Sequence, residues 1–235
     1  MTNHAVVLRP SQIRHLLRVT EATSRHPERD VLILLLGITC GMHVTEIARV
    51  EIADVMTQSG AIRDEVSLRA VITKSCRQRC VYLTHEKTRA ALERYLTFRV
   101  RRQLGTSLDE CAYRGLIASN RLILTHNGTA YELSLKRRTN GEGGQVGYWA
   151  ADSLQSYVTS LYRAAGLQRG YSSHFGRRTF ANRLLAQCES FETVQTLLGH
   201  AELDHVISYL DDDPARIRAA LESFSADFMP DHDDA

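Results

Sequence analysis

The sequence predicts a mainly α-helical domain carrying a small β-hairpin or sheet, an α+β fold, and three observations carry that expectation. Apolar residues recur at a helical period over most of the 235 residues. Prolines at first turns and glycines after last turns bracket those stretches. One region alone, residues 66–83, changes to short β-branched and apolar runs separated by a polar turn. With 43% hydrophobic residues the chain can bury one sizeable core, whereas two full domains would be cramped.

Pro10 opens the first helix, with Ile13, Leu16, Leu17 and Thr20 on one face, and Pro27 opens the second, whose apolar body reaches Ile38 before Gly41 ends it. Thr45 precedes a short helical turn over 46–50 that directs Ile47 and Val50 to the core. Residues 66–73 and 79–83 pair as the hairpin, and its polar turn, 74–78, carries Lys74. A helix over 87–102 turns Leu92, Tyr95, Leu96 and Val100 inward and leaves a basic outer face of Arg94, Arg99, Arg101 and Arg102. Residues 104–147 are the least regular stretch. Their cluster Lys136-Arg137-Arg138, followed by GEGGQVG, predicts an exposed loop. Asp152 is positioned to cap a helix that runs to Ala165 and stops at Gly166, and further helical patterns surround Arg178, Thr193 and Val206. Pro214, behind Asp213 as N-cap, starts a last amphipathic helix with Ile217, Leu221, Phe224 and Phe228 at helical spacing. The expected organisation is one domain over 1–213 followed by a helix and acidic tail over 214–235.

Composition excludes several classes of function. The longest apolar run, 31–38, is far shorter than the roughly 18 residues a membrane span needs, and the N-terminus lacks a signal-peptide pattern. Five cysteines, Cys40, Cys76, Cys80, Cys111 and Cys188, form no CxxC pair and suit a reducing cytoplasm better than a disulfide framework. The net charge of +2 conceals an asymmetry: the residues from Glu202 onward carry −8 and the preceding body +10. A body of that sign can displace counterions from a phosphate backbone.

Two local strings carry chemistry. SSHFGRRTFANRLL contains His174-x-x-Arg177, and LLGHAELDHVISYL contains a Leu-Leu-Gly-His turn ending at His200, with Tyr209 nine residues later. Each alone reads as a basic helix face or a packed aromatic. His200 and His205 lack a third ligand at a spacing that would make a metal site. Together, in this order and at these gaps, the strings resemble the tyrosine recombinases, or phage integrases, which pair an H-x-x-R box with an L-G-H turn and a tyrosine. The resemblance extends upstream. Lys74, in VITKSCRQRCVYLT, stands where that family carries a hairpin lysine, and Thr39-Cys40-Gly41-Met42-His43-Val44-Thr45-Glu46 matches its T-G-L-R-x-S-E segment, with His43 in the place of the arginine. Glu46 and Asp54 keep the surrounding pattern, and LRPSQIRHLL looks like the first helix of the family's catalytic domain.

The resemblance implies a tyrosine recombinase catalytic-domain fold and site-specific recombination of double-stranded DNA: integration, excision, inversion or resolution. Tyr209 would be the nucleophile, Lys74 the general acid, and Arg177, His174, His200 and His43 the donors around phosphorus. Those residue types suit the chemistry, because a phosphodiester under attack gains negative charge that fixed cationic and N–H donors stabilise. No cofactor and no metal is expected. His43 would supply one donor where an arginine supplies two, which implies slower cleavage. The other functional class left open is a catalytically impaired DNA-binding accessory protein of the same fold. Only about seven residues precede the first helix, so the N-terminal core-binding domain that closes a clamp on DNA in most members is expected to be absent. Partners implied are duplex DNA, further copies of the chain gathered through the 214–228 helix, and a second recombinase or accessory protein; no membrane is involved. The expected location is the cytoplasm, at the nucleoid in a prokaryote.

Overall fold

From Val31 onward helix α2 (Pro27–Cys40) is apolar on every side, and a helix of that kind is stable only when surrounded. In the computed structural model, which describes residues 7–73, 78–139, 144–167, 174–187 and 190–199, residues 31–36 and Ile38 of α2 are all buried. Helices α1 (Pro10–Thr23), α5 (Glu86–Arg101) and α7 (Phe175–Ala186) pack around it. The apolar stripe expected for α1 is the one it buries, through Ile13, Leu16 and Thr20, with Leu17 partly covered. Gly41 ends α2 in the left-handed region at φ 61°, which a residue with a side chain adopts at a cost. A Cβ there would also lie 2.5 Å from the Phe180 ring.

The chain then forms α3 (Val44–Arg49) and the single turn α4 (Ile52–Val55). The expected hairpin follows as β1 (Glu65–Leu68) and β2 (Arg79–Tyr82), antiparallel, with Leu68 opposite Arg79 and Val66 opposite Val81. The first strand is shorter than the sequence suggested, because residues 70–72 wind into a 3-10 turn.

Two expectations for α5 are overturned. Arg99, assigned to the outer face, is fully buried, and Val100, assigned inward, is 37% exposed. Leu92, Tyr95 and Leu96 set the buried stripe, and position 99 continues it at i+3 and i+4. The Arg99 guanidinium enters the core because carbonyls wait there: it donates to Leu104, Arg121 and Leu122 at 3.1, 2.8 and 3.1 Å.

The stretch read as an exposed loop instead contains a second hairpin. Strands β3 (Ser134–Thr139) and β4 (Gln145–Ala150) pair antiparallel, from Ser134 opposite Ala150 to Thr139 opposite Gln145. The run of cations and the glycines obscured the alternation. Helix α6 (Asp152–Ala164) follows and packs on α1 and α3. Its N-cap is Ala151, not Asp152, whose carboxylate accepts from Ser134 Oγ and pairs with Lys136. Gly166 stops the helix at φ 70° as expected. Helix α8 (Phe191–Leu198) joins α7 through a small apolar cluster of Ala181, Val194 and Leu198. The helices expected around Val206 and after Pro214 lie outside the described residues. Among the described residues no helix is long and apolar enough to cross a membrane.

Candidate functional site

Two helix starts meet beside the end of α2. His43 is the N-cap of α3: its Nδ1 accepts from the Thr45 N–H at 3.1 Å, and its own N–H donates to Glu46 Oε2 at 2.7 Å. An imidazole nitrogen that accepts carries no proton, so the neutral ring holds its hydrogen on Nε2. His174 is the N-cap of α7, and its ring centroid lies 5.3 Å from that of His43 at an interplanar angle of 56°. Residues separated by 131 positions in sequence therefore become neighbours.

The approach depends on a pair of glycines. A Cβ on Gly176 would stand 3.0 and 3.1 Å from the C and Cα atoms of Gly37, so α7 can lie on α2 at this distance only without a side chain there. Tyr162 of α6 braces the same turn through a hydrogen bond with the Gly176 backbone, while burial pushes its phenol well up.

Arg177 follows one residue later and is 7% exposed. Its guanidinium donates to the Gly41 carbonyl at 2.8 Å and to the Leu198 carbonyl. Arg79, on β2, reaches the same place from the other side: Nη2 donates to Gly41 O at 3.1 Å and to Glu46 Oε2 at 2.5 Å, Nε to Glu46 Oε1 at 3.1 Å, and Nη1 to Leu197 O at 2.5 Å. The C-terminal carbonyls of α2 and α8, which have no partner within their helices, are thus held by two guanidiniums. The buried carboxylate of Glu46 offsets one of the two positive charges, pairing with Arg79, and also lies 3.9 Å from Arg177. Burial alone would raise its pKa, but the charge and hydrogen bonds of Arg79, with Arg177 and the His43 N–H, hold it below the ordinary range, so it is ionised at neutral pH.

Of the six candidate residues, the fold brings His43, His174 and Arg177 together, while Lys74, His200 and Tyr209 lie outside the described residues. Lys74 directly follows Thr73, and His200 directly follows Gly199, which terminates α8 in the left-handed region at φ 65°. Arg79 escaped the sequence reading. The available signal was alternation: Arg79, Val81 and Leu83 all point inward, and an arginine at an inward strand position requires a buried acid. A cavity of about 750 Å³, bordered by Arg25, His26, Arg29, His126, Tyr131 and Tyr157 among others, is lined by none of His43, His174 and Arg177.

The comparisons agree with one another. The sequence matches the model of the phage integrase family over residues 6–216. It is 23% identical over 218 residues to tyrosine recombinase XerD of Listeria innocua serovar 6a, covering 93% of this chain and 62% of that protein. The chain therefore spans under two thirds of that relative's length. In structure it resembles XerA recombinase with a TM-score of 0.63 at 19% identity, over 97% of this chain and 66% of the other. The XerH recombinase bound to its palindromic difH substrate after cleavage gives 0.61 at 19%, over 94% and 53%. The Tn1549 transposon integrase in complex with transposon right-end DNA gives 0.60 at 15%, over 94% and 66%.

Proposed function

The chain belongs to the phage integrase family, and from that membership we propose that it cuts and rejoins duplex DNA at a specific site through a covalent link to Tyr209. The Tyr209 phenol oxygen attacks phosphorus, its proton leaves to a neighbouring base, and the bond to the 5′ oxygen breaks as Lys74 protonates it. The resulting 3′-phosphotyrosyl ester keeps the energy of the broken bond, so a second DNA end closes it in reverse without an external energy source. The observation that carries the reading is the meeting of His43, His174 and Arg177, drawn from two distant segments, beside the turn that leads into His200.

In this reading Arg177 and the imidazoles stabilise the charge that develops on the non-bridging oxygens. The hydrogen bond from Thr45 leaves His43 as a neutral single donor through Nε2–H. An arginine would present a two-pronged cation, so this site cleaves more slowly than one with the full set. We further infer that the amphipathic segment 214–228 docks on a neighbouring copy and gathers the chains on DNA. Deleting the residues after Asp213 then abolishes cooperative assembly in gel-shift assays.

A nicked suicide substrate carrying the cognate site tests the main reading. An adduct that survives denaturation, and disappears in Tyr209→Phe, is the expected result. Absence of an adduct at every pH overturns it and favours the accessory DNA-binding role, which the replacement of the family's arginine by His43 makes the natural second reading.

A further inference from the structure

The β3–β4 ribbon belongs to no core. Its strands pair with each other, and neither packs substantially on another helix or strand. Both faces are open: Leu135, Val146 and Trp149 are 57%, 42% and 45% exposed, which makes this ribbon the richest source of exposed large apolar side chains among the described residues. An isolated two-stranded ribbon gains little by showing such groups to water, so a covering partner is called for.

Charge identifies the partner. The twelve strand residues include the consecutive cations Lys136, Arg137 and Arg138 and no acid. The cores of protein–protein interfaces are depleted in lysine, whereas a polyanion requires such a row. Cross-strand neighbours project to one side, so Leu135 and Trp149 share a face, with Arg137 two residues along it, and Lys136 lies with Tyr148 on the other. Each face therefore carries one aromatic ring and a cation, Trp149 with Arg137 and Tyr148 with Lys136. Six residue pairs extend roughly 20 Å, and the major groove of B-DNA admits a two-stranded ribbon. The base of the ribbon is fixed: Ser134 Oγ donates to Asp152 Oδ2 at 2.5 Å, and Lys136 Nζ pairs with Asp152 Oδ1 at 2.7 Å. Asp152 begins α6, and α6 packs on α3, the helix that His43 caps.

We propose that the β3–β4 ribbon is a second grip on duplex DNA, laid along a groove beside the cleavage site, with Lys136 and Arg137 against phosphates and the Leu135–Trp149 pair against sugar or base edges. The proposal rests on the reading that the chain acts on DNA, but its test is equilibrium binding, which does not require cleavage.

The test titrates the full chain against a fluorescent duplex of arbitrary sequence, from about 50 to 200 mM salt. Each lost phosphate contact lowers the slope of log K against log salt by about 0.9, so Lys136→Ala with Arg137→Ala should lower it by about 2. Because Lys136 also holds the ribbon base, Arg137→Ala alone is the second variant and should remove about 1. Trp149→Ala should weaken binding roughly tenfold with the slope unchanged, because an apolar contact to sugar or base edges releases no counterions. Unchanged affinity and slope in all three variants overturn the proposal. So does a result in which DNA binding is intact while sedimentation shows altered self-association, which would assign the ribbon to a second copy. Tyr209→Phe removes the adduct but leaves this titration readable, so failure of the cleavage reading and failure of the ribbon are told apart.

Discussion

Arg177 and Arg79 donate to the same acceptor, the carbonyl oxygen of Gly41, at 2.8 and 3.1 Å. One arginine comes from the H-x-x-R box and the other from the strand that follows the Lys74 turn. Each also holds a terminal carbonyl of α8, so four segments named by the family resemblance are fastened at one point.

Arg79→Met leaves the Glu46 carboxylate buried without its main partner and is expected to cost about 3–5 kcal/mol in urea unfolding. Adding Glu46→Gln removes the stranded charge and should restore a large part. The pH dependence has a definite sign. The folded pKa of Glu46 lies below its ordinary value of 4.5, so the stabilisation is complete above about 4.5 and is lost as pH falls through the lower, folded value. Glu46→Gln should flatten that part of the stability profile.

His43→Asn separates capping from the proposed donor role. Asparagine keeps an acceptor for the Thr45 N–H, but its amide N–H groups lie on a shorter side chain and stop short of the position of the ring Nε2–H. Stability should stay within about 0.5 kcal/mol while adduct formation falls roughly 10²-fold. His43→Arg should do the reverse: cleavage quickens, and loss of the cap costs about 1 kcal/mol in thermal unfolding.

Gly176→Ala places a methyl group against the Gly37 backbone, which has no side chain to move aside. Thermal unfolding should register about 1–3 kcal/mol of overpacking. Displacement of Arg177, one residue away, should lower the rate of adduct formation by about 10²-fold, more than the loss of stability explains.

Arg99→Met deprives three carbonyls of their donor. A buried polar group left without a partner costs about 1–3 kcal/mol, so a loss of about 3 kcal/mol or more is expected. Arg99→Lys should not rescue it, because one ammonium cannot reproduce the fork that spans residues 104 and 121–122.

The helices were legible in the sequence because their punctuation is local: Pro10, Pro27, Gly41 and Gly166 act within a turn of their own positions. Arg99 was misplaced because charge suggested solvent, and the carbonyls that draw it inward come from a loop that periodicity does not describe. The second hairpin was hidden because Lys136-Arg137-Arg138 and the neighbouring glycines carry the composition of a loop. At the candidate site, His43, His174 and Arg177 could be named only through the resemblance of their strings to the family's motifs. The Arg79–Glu46 pair could not, since its partners lie 33 residues apart on different elements and meet only after the hairpin packs on α3.

The bond between Arg177 and Gly41 spans 136 residues, and that between Arg79 and Leu197 spans 118. Contacts of such range form only after most of the intervening polypeptide has settled. During synthesis the two guanidiniums cannot be seated until the chain has been made past Leu198, so a product truncated before that residue lacks the junction that ties α2, β2, α7 and α8 together.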